Sequence, residues 1–199
     1  MASNSAMPTE VTELVTRAKA GDRAAFDEIV KATYADTYTL ALRLTTNEED
    51  ARDVVQEAYL RAYKGLKNFR GDAQFTTWLY RITANCANTA LGKRRRHRHE
   101  DIDEQLALFD ERPDADPVQR ADATLLRDRV STALSHLPPK LRAVVVLRDV
   151  YDLPHDEIAQ ELGISETAAK VRLHRARKQL RERLFPMKGE DGVVDAHAV

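Results

Sequence analysis

Two short helical patterns meet at Gly163 within residues 154–183, and this junction constrains the fold more than any other feature of the chain. Glycine has no Cβ and so suits the left-handed conformation that often ends a helix. Ser165 follows at a position where a hydroxyl can cap the next helix. Apolar residues keep helical spacing on both sides of the junction: Ile158, Ala159 and Leu162 before it, and Ala169, Leu173, Ala176 and Leu180 after it. This pattern predicts a helix-turn-helix, whose second helix lies in the major groove of DNA.

The charges of the chain are strongly segregated, although the formal net charge is only −1. Residues 93–99 carry five Lys and Arg and no acid, and residues 170–183 carry seven against one Glu. Between these basic blocks, residues 100–128 carry ten Asp and Glu against three Arg. Two basic blocks around an acidic one indicate two nucleic-acid contacts with a linker between them.

Helical periodicity runs through nearly the whole chain, and no alternating strand pattern of useful length interrupts it. We therefore predict an all-α protein with two helical domains, over residues 10–96 and 122–185. The periodicity is lost over residues 97–121, where prolines stand among acids, so this segment is predicted to be a flexible acidic linker. The ends of the chain, residues 1–9 and 188–199, are expected to be disordered.

The lone cysteine and the lack of chemical motifs exclude several classes of protein. Cys86 has no partner for an internal disulfide, which fits a reducing cytoplasm, and its helical spacing predicts that it is buried. No apolar run is long enough to cross a bilayer, so no membrane insertion is expected. No cluster with metal-ligand spacing and no nucleophile–base pair is visible. We therefore expect no enzymatic activity, no metal, no cofactor and no small-molecule substrate.

Three stretches of the chain carry a more specific pattern. They are DARDVVQEAYLRAY at residues 50–63, FRGDAQFTTWLYRI at residues 69–82 running on to KRRR at residues 93–96, and the segment from LPPKLR at residues 137–142 through Arg177. In this order they resemble the extracytoplasmic-function sigma factors, the compact two-domain branch of the sigma-70 family of bacterial transcription initiation factors. The resemblance covers about residues 10–185. It implies a subunit that directs RNA polymerase to promoters and opens the DNA.

The resemblance assigns the polar side of the first stretch, opposite Val54, Val55 and Tyr59, to RNA polymerase core. Four residues would dock there on the coiled coil of the largest polymerase subunit: Asp50, Asp53, Gln56 and Glu57. Charge complementarity in such a contact sets register and association rate more than affinity. The flap of the polymerase is a further implied contact. On local sequence alone, the same residues form an ordinary solvated helix face.

The second stretch, by the same resemblance, reads the −10 element. Such a reader must hold a separated strand by stacking and phosphate contacts, and it must accept a base taken out of the stack. The implied pocket residues are Asn68, Arg70, Gly71, Asp72 and Gln74, and the implied strand-binding residues are Asn85, Asn88, Lys93, Arg94 and Arg95. Trp78 has helical spacing with Leu79 and Ile82, so it is expected in the core rather than on a stacking surface.

The resemblance implies that the second helix of the helix-turn-helix, the recognition helix, reads the −35 element with the side opposite its apolar stripe. At about 100° per residue, this side and its flanks present five candidate base readers: Thr167, Lys170, Val171, His174 and Arg175. Arg172, Arg177 and Lys178 are expected to be phosphate contacts or solvated charges. Where many family members have Thr-Val in this helix, the chain has Ala168-Ala169, so the promoter bases are left open.

The predicted linker must let two readers reach two DNA elements. Its 25 residues average roughly 25–30 Å end to end as a coil and reach about 85 Å when stretched. Two DNA sites one to two helical turns apart lie about 35–70 Å from each other. The two domains are therefore expected to lie closer together in solution than on a promoter. The resemblance also implies an anti-sigma protein that binds between the domains.

Other functions fit the sequence less well. A stand-alone helix-turn-helix repressor or activator is the main alternative, but it leaves the first 96 residues unexplained. A nuclease would need a metal or acid–base constellation. A protein that only captures an anti-sigma protein would not need two basic segments for DNA binding, yet the chain has them at residues 93–99 and 170–183.

Overall fold

The structure, a computed structural model, describes residues 7–100 and 121–185. Every regular element within these residues is helical, and no strand occurs in them. The N-terminal half contains α1 (Met7–Lys19), α2 (Arg23–Thr45), α3 (Glu48–Gly65), a 3-10 turn (Leu66–Asn68) and α4 (Phe75–Glu100). The C-terminal half contains α5 (Ala121–Ser135), α6 (Pro139–Val145), a π-helical turn (Val146–Val150), α7 (His155–Leu162) and α8 (Glu166–Leu184). The predicted all-α fold is confirmed.

Helices extend into the segments for which the sequence predicts a linker and a tail. α4 continues to Glu100, so residues 97–100 lengthen that helix, and α5 begins at Ala121. At the start of the chain, α1 begins at Met7. The remaining residues of the predicted linker and of both tails lie outside the described residues.

The N-terminal half is built around α2, which packs against α1, α3 and α4. Asp22 caps α2 by accepting a hydrogen bond from the backbone N–H of Ala25 at 3.1 Å. The core includes fully buried aliphatic residues from three helices: Ile29, Leu40, Val54 and Leu79. A buried polar contact joins α2 to α3, since the hydroxyl oxygens of Tyr59 and Thr33 lie 2.8 Å apart. Burial raises the pKa of Tyr59.

The C-terminal half contains the helix-turn-helix that the sequence predicts. Gly163 ends α7 in the left-handed region, with φ of 62°. Ser165 caps α8 by accepting a hydrogen bond from the N–H of Ala168 at 3.1 Å. Ile158 of α7 and Leu173 of α8 are buried together with the other residues of the apolar stripe. The turn chemistry read from the sequence is therefore confirmed at both helix ends.

A buried arginine closes the end of α5. Arg142 is only 4% exposed, and its Nη1 donates a hydrogen bond to the carbonyl of Ser135 at 3.1 Å. The last carbonyls of a helix have no partner within the helix, so this guanidinium satisfies one of them. Burial lowers the pKa of Arg142 to about 10, which still leaves it protonated at neutral pH.

The two halves contact each other directly in this structure. Arg81 of α4 forms hydrogen bonds with Gln160 and Glu161 of α7. The rings of Tyr80 and Tyr151 meet edge to face, with centroids 4.7 Å apart.

Gly163→Ala should lower the free energy of unfolding by about 1 kcal/mol, because a Cβ is strained in the left-handed region. A matched variant, Gly92→Ala, should raise it by roughly 0.5–1 kcal/mol, since Gly92 lies within α4 and faces open space. Urea denaturation followed by circular dichroism measures both changes. Shifts of the same sign in the two variants would contradict the assigned backbone conformations.

Candidate nucleic-acid interface

The exposed face of α8 is built by the amphipathic pattern of that helix. Ala169, Leu173 and Ala176 are buried against the rest of the C-terminal half. The opposite side is open to solvent, and it carries all five candidate base readers and Lys178: Thr167, Lys170, Val171, His174, Arg175 and Lys178. Val171 is 45% exposed, so it places an apolar group on this face. An exposed apolar group within a basic face is suited to contact with a thymine methyl group.

Two of the basic residues of α8 already have acidic partners. Lys170 Nζ lies 2.7 Å from a carboxylate oxygen of Glu166, one helical turn earlier. Arg177 binds Asp149 through two hydrogen bonds of 3.0 and 2.6 Å, and this contact raises the pKa of Arg177. Arg177 therefore ties α8 to the π-helical turn, and its side chain remains exposed. Arg172, like Arg177 predicted to be a phosphate contact or a solvated charge, is half-buried.

The loop of residues 68–74 places its polar groups at the surface. Asn68, Arg70, Asp72 and Gln74 are exposed. The chain turns at Gly71, whose φ of 83° only glycine adopts without strain. Arg70 and Asp72 form a loose ion pair of 3.9 Å across the turn.

An aromatic cluster packs between this loop and the start of α4. Phe69 packs against Phe75 and Trp78, with ring centroids 5.8 and 5.0 Å away. Trp78 also lies against Gly65, where a Cβ would come within 3.3 Å of the indole. Lys19 holds the loop from outside, because its Nζ donates a hydrogen bond to the carbonyl of Phe69 at 2.6 Å. Trp78 thus packs within the N-terminal half, as its helical spacing predicts.

The outer face of α4 continues from the loop. Asn85 is half-buried and Asn88 is exposed, and the two lie three residues apart on one side of the helix. Lys93 and Arg94 follow and are exposed. The backbone of Arg95 is helical, but its side chain lies outside the described atoms.

The polar face of α3 is linked to α4 by two arginines. Asp50 is half-buried and forms an ion pair with Arg94. Glu57 binds Arg61 at 2.6 Å, and that hydrogen bond lowers the pKa of Glu57. Arg61 also donates to the side-chain oxygen of Asn85 at 3.4 Å. The face predicted to bind polymerase therefore contacts the face predicted to bind the separated strand. Asp53 and Gln56 on the same side of α3 are exposed.

An apolar groove beside this face was missed by sequence reasoning. It has a volume of about 600 Å³ and is lined by Arg23, Phe26, Asp27, Gln56, Tyr59, Leu60 and Tyr63. Leu60 and Tyr63 are 48% and 47% exposed, and the Tyr63 ring meets Phe26 edge to face at 5.0 Å. Exposed apolar residues in a groove commonly mark a protein contact. The sequence did contain one sign of this groove: Leu60 and Tyr63 are apolar, but they do not belong to the apolar stripe that α3 buries in the core.

Residues 7–100 and 121–185 offer little other site chemistry. No group of three or more His, Cys, Asp or Glu that could hold a metal ion occurs there. Cys86 is buried, as its spacing predicts, and burial raises the pKa of its thiol. In this part of the chain, no helix combines the length and apolar character that a membrane span requires.

The fold and the helix-turn-helix define a helical protein of the DNA-binding class. The model for Sigma-70 region 2 matches residues 29–97, and the model for Sigma-70, region 4 matches residues 127–180. The chain is 33% identical over 181 residues to the RNA polymerase sigma-H factor of Pseudomonas aeruginosa, covering 88% of this chain and 94% of that protein. It is also 33% identical over 180 residues to the ECF RNA polymerase sigma-E factor of Escherichia coli, covering 87% and 94%.

A solved structure agrees with these sequence relatives. The structure of CnrH in complex with the cytosolic domain of CnrY is similar with a TM-score of 0.57 and 26% identity, covering 88% of this chain and 97% of that chain. The chain belongs to the extracytoplasmic-function sigma factors, a branch of the sigma-70 family. It is therefore a transcription initiation factor rather than a stand-alone repressor or activator.

Proposed function

We propose that α3 binds core RNA polymerase, that α8 reads the −35 element, and that the loop of residues 68–74 opens the −10 element together with α4. The observation that carries this proposal is that one chain presents an exposed basic face on α8 and a second polar and basic face on α4. A duplex reader and a single-strand reader on separate helices are what recognition of two promoter elements needs.

The polymerase contact is proposed to combine the polar face of α3 with the neighbouring groove. Gln56 lines the groove and also belongs to the polar face, so the two surfaces are continuous. Leu60 and Tyr63 would supply the apolar centre, and Asp53 and Glu57 the charged rim. This composition matches protein interfaces, in which a few apolar and aromatic residues carry most of the binding free energy.

The −35 contact is proposed to use the exposed side of α8 in the major groove. Lys170 and Arg175 can donate to O6 and N7 of guanine, whereas Thr167, Val171 and His174 offer smaller polar and apolar contacts. Lys170 must exchange Glu166 for DNA when it binds. Exposed ion pairs of this kind contribute little stability, so the exchange costs little.

The −10 contact is proposed to begin at the loop, where the exposed polar side chains around Gly71 would form the pocket for a base taken out of the stack. Asn85, Asn88, Lys93 and Arg94 would then follow the separated strand along α4. No catalysis by the protein itself is required, because binding of the separated strand favours the open DNA.

We further propose an anti-sigma partner and a site of action in the cytoplasm. Support comes from the family and from CnrH, which was solved with the cytosolic domain of a second protein. Full and constant activity of the protein under all growth conditions, in cells that carry every co-encoded candidate inhibitor, would count against such a partner.

Run-off transcription with core polymerase tests the proposed function. The template is promoter DNA obtained by genomic selection with the reconstituted holoenzyme. We expect a specific transcript with core and the protein together, and none with either component alone. Tight binding of the free protein to duplex DNA without any transcript would instead support a repressor.

A further inference from the structure

We propose that Arg81 is a phosphate contact of the strand-binding face of α4, and that acidic residues of α7 cover it while the free protein is closed. This inference rests on the proposed strand-binding role of α4. It adds Arg81 to the residues proposed above to bind DNA, and it adds regulation of that residue by α7.

The position of Arg81 places it on the proposed face. Arg81, Asn85 and Asn88 are spaced at i, i+4 and i+7, so they lie along one side of α4. Arg81 lies between the loop of residues 68–74 and the two asparagines. A strand that runs from the pocket along α4 therefore passes over its guanidinium.

The surroundings of Arg81 resemble those that a phosphate group would provide. Its Nε donates to Glu161 at 2.9 Å, one Nη donates to Gln160 at 3.2 Å, and the other lies 3.8 Å from Glu157. All the acceptor atoms come from a single helix of the other half of the protein. An arginine fork binds carboxylates and phosphates in the same way, so α7 occupies the site with matching chemistry.

The contact shields both partners from most of the solvent. The side chain of Arg81 is 24% exposed and that of Glu161 is 15% exposed. DNA cannot reach the guanidinium without displacing α7. Because α7 belongs to the helix-turn-helix, its displacement moves the −35 reader away from the −10 reader, as the spacing of two promoter elements requires.

The contact is also suited to opening. Two other hydrogen bonds between the halves are long: Tyr151 donates to the carbonyl of Asp36 at 3.3 Å and accepts from Arg43 at 3.4 Å. Hydrogen bonds of this length are weak, so these two add little to the stability of the closed state.

The test uses the full chain without polymerase and a fluorescent single-stranded DNA of mixed sequence. The double variant Glu157→Gln/Glu161→Gln removes from α7 the two negative charges that face Arg81. We expect a larger radius of gyration by small-angle X-ray scattering and a gain in DNA affinity of at least about fivefold, the lower end of typical coupling between sites. Asp156→Asn, which changes an exposed acid of the same helix, should leave both values unchanged.

Adding Arg81→Gln to the double variant separates binding from closure. We expect the triple variant to stay open and to lose the gain in affinity. Compared with the double variant, the slope of log K against log salt should be smaller in magnitude by about 0.7, because one phosphate contact is lost. The proposal is overturned if the double variant stays compact, if it opens without binding DNA more tightly, or if the triple variant binds as the double variant does. These measurements need no transcription, so their failure is distinct from a failure of the wild-type protein in run-off transcription.

Discussion

Leu60→Asp should weaken binding of the protein to core polymerase by roughly 30-fold or more, which corresponds to about 2 kcal/mol. Leu60 is 48% exposed and lines the groove next to the polar face of α3. A carboxylate there would be desolvated in the complex without a partner, whereas in the free protein it stays in water. The fold should therefore be retained while the complex is lost. Fluorescence anisotropy with labelled protein and purified core measures the affinity.

Tyr34→Asp is the matched control for this experiment. Tyr34 is an apolar residue of similar exposure, 46%, on α2, and it does not line the groove. We expect wild-type affinity for core from this variant, and melting temperatures show whether both variants are folded. Equal losses of affinity in the two variants would contradict a specific docking role for the groove.

Lys170→Ala combined with Arg175→Ala should abolish preference for the cognate −35 element. Each change is expected to cost about 1–3 kcal/mol if the residue reads a base, and roughly additive losses make the combined effect larger than 30-fold. The stability of the fold should change little, because both side chains are exposed. Binding of holoenzyme to promoter DNA with a cognate or a scrambled −35 element measures the effect.

Arg183→Ala provides a comparison within the same helix. Arg183 lies in the last turn of α8, far from the end that enters the groove. We expect this variant to keep its preference for the cognate element. If the double variant instead weakens binding to both DNAs equally, Lys170 and Arg175 are phosphate contacts and other residues read the bases.

The helix-turn-helix was predictable because its determinants are local. Gly163, Ser165 and the stripe through Leu173 are each defined by neighbours within two helical turns. Periodicity therefore gave both the fold of this region and the exposed face of α8. The same reasoning placed Trp78 in the interior and Cys86 out of solvent.

Contacts between distant parts of the chain were not predictable in this way. Arg81 and Glu161 are 80 residues apart, and no local pattern links a basic residue of α4 to the acidic side of α7. The groove was missed for a related reason. Leu60 and Tyr63 lie off the core stripe of α3, and only the packing of α3 against α2 turns them into one surface with Phe26.

Opening of promoter DNA tests the central claim most directly. The claim is that two regions of one chain, brought to core polymerase by α3, read two promoter elements and separate the strands at the second. Permanganate reactivity of unpaired thymines reports that separation at the −10 element. We expect reactivity only when core, the protein and both promoter elements are present. Equal reactivity with core alone, or with the −35 element scrambled, would contradict the account.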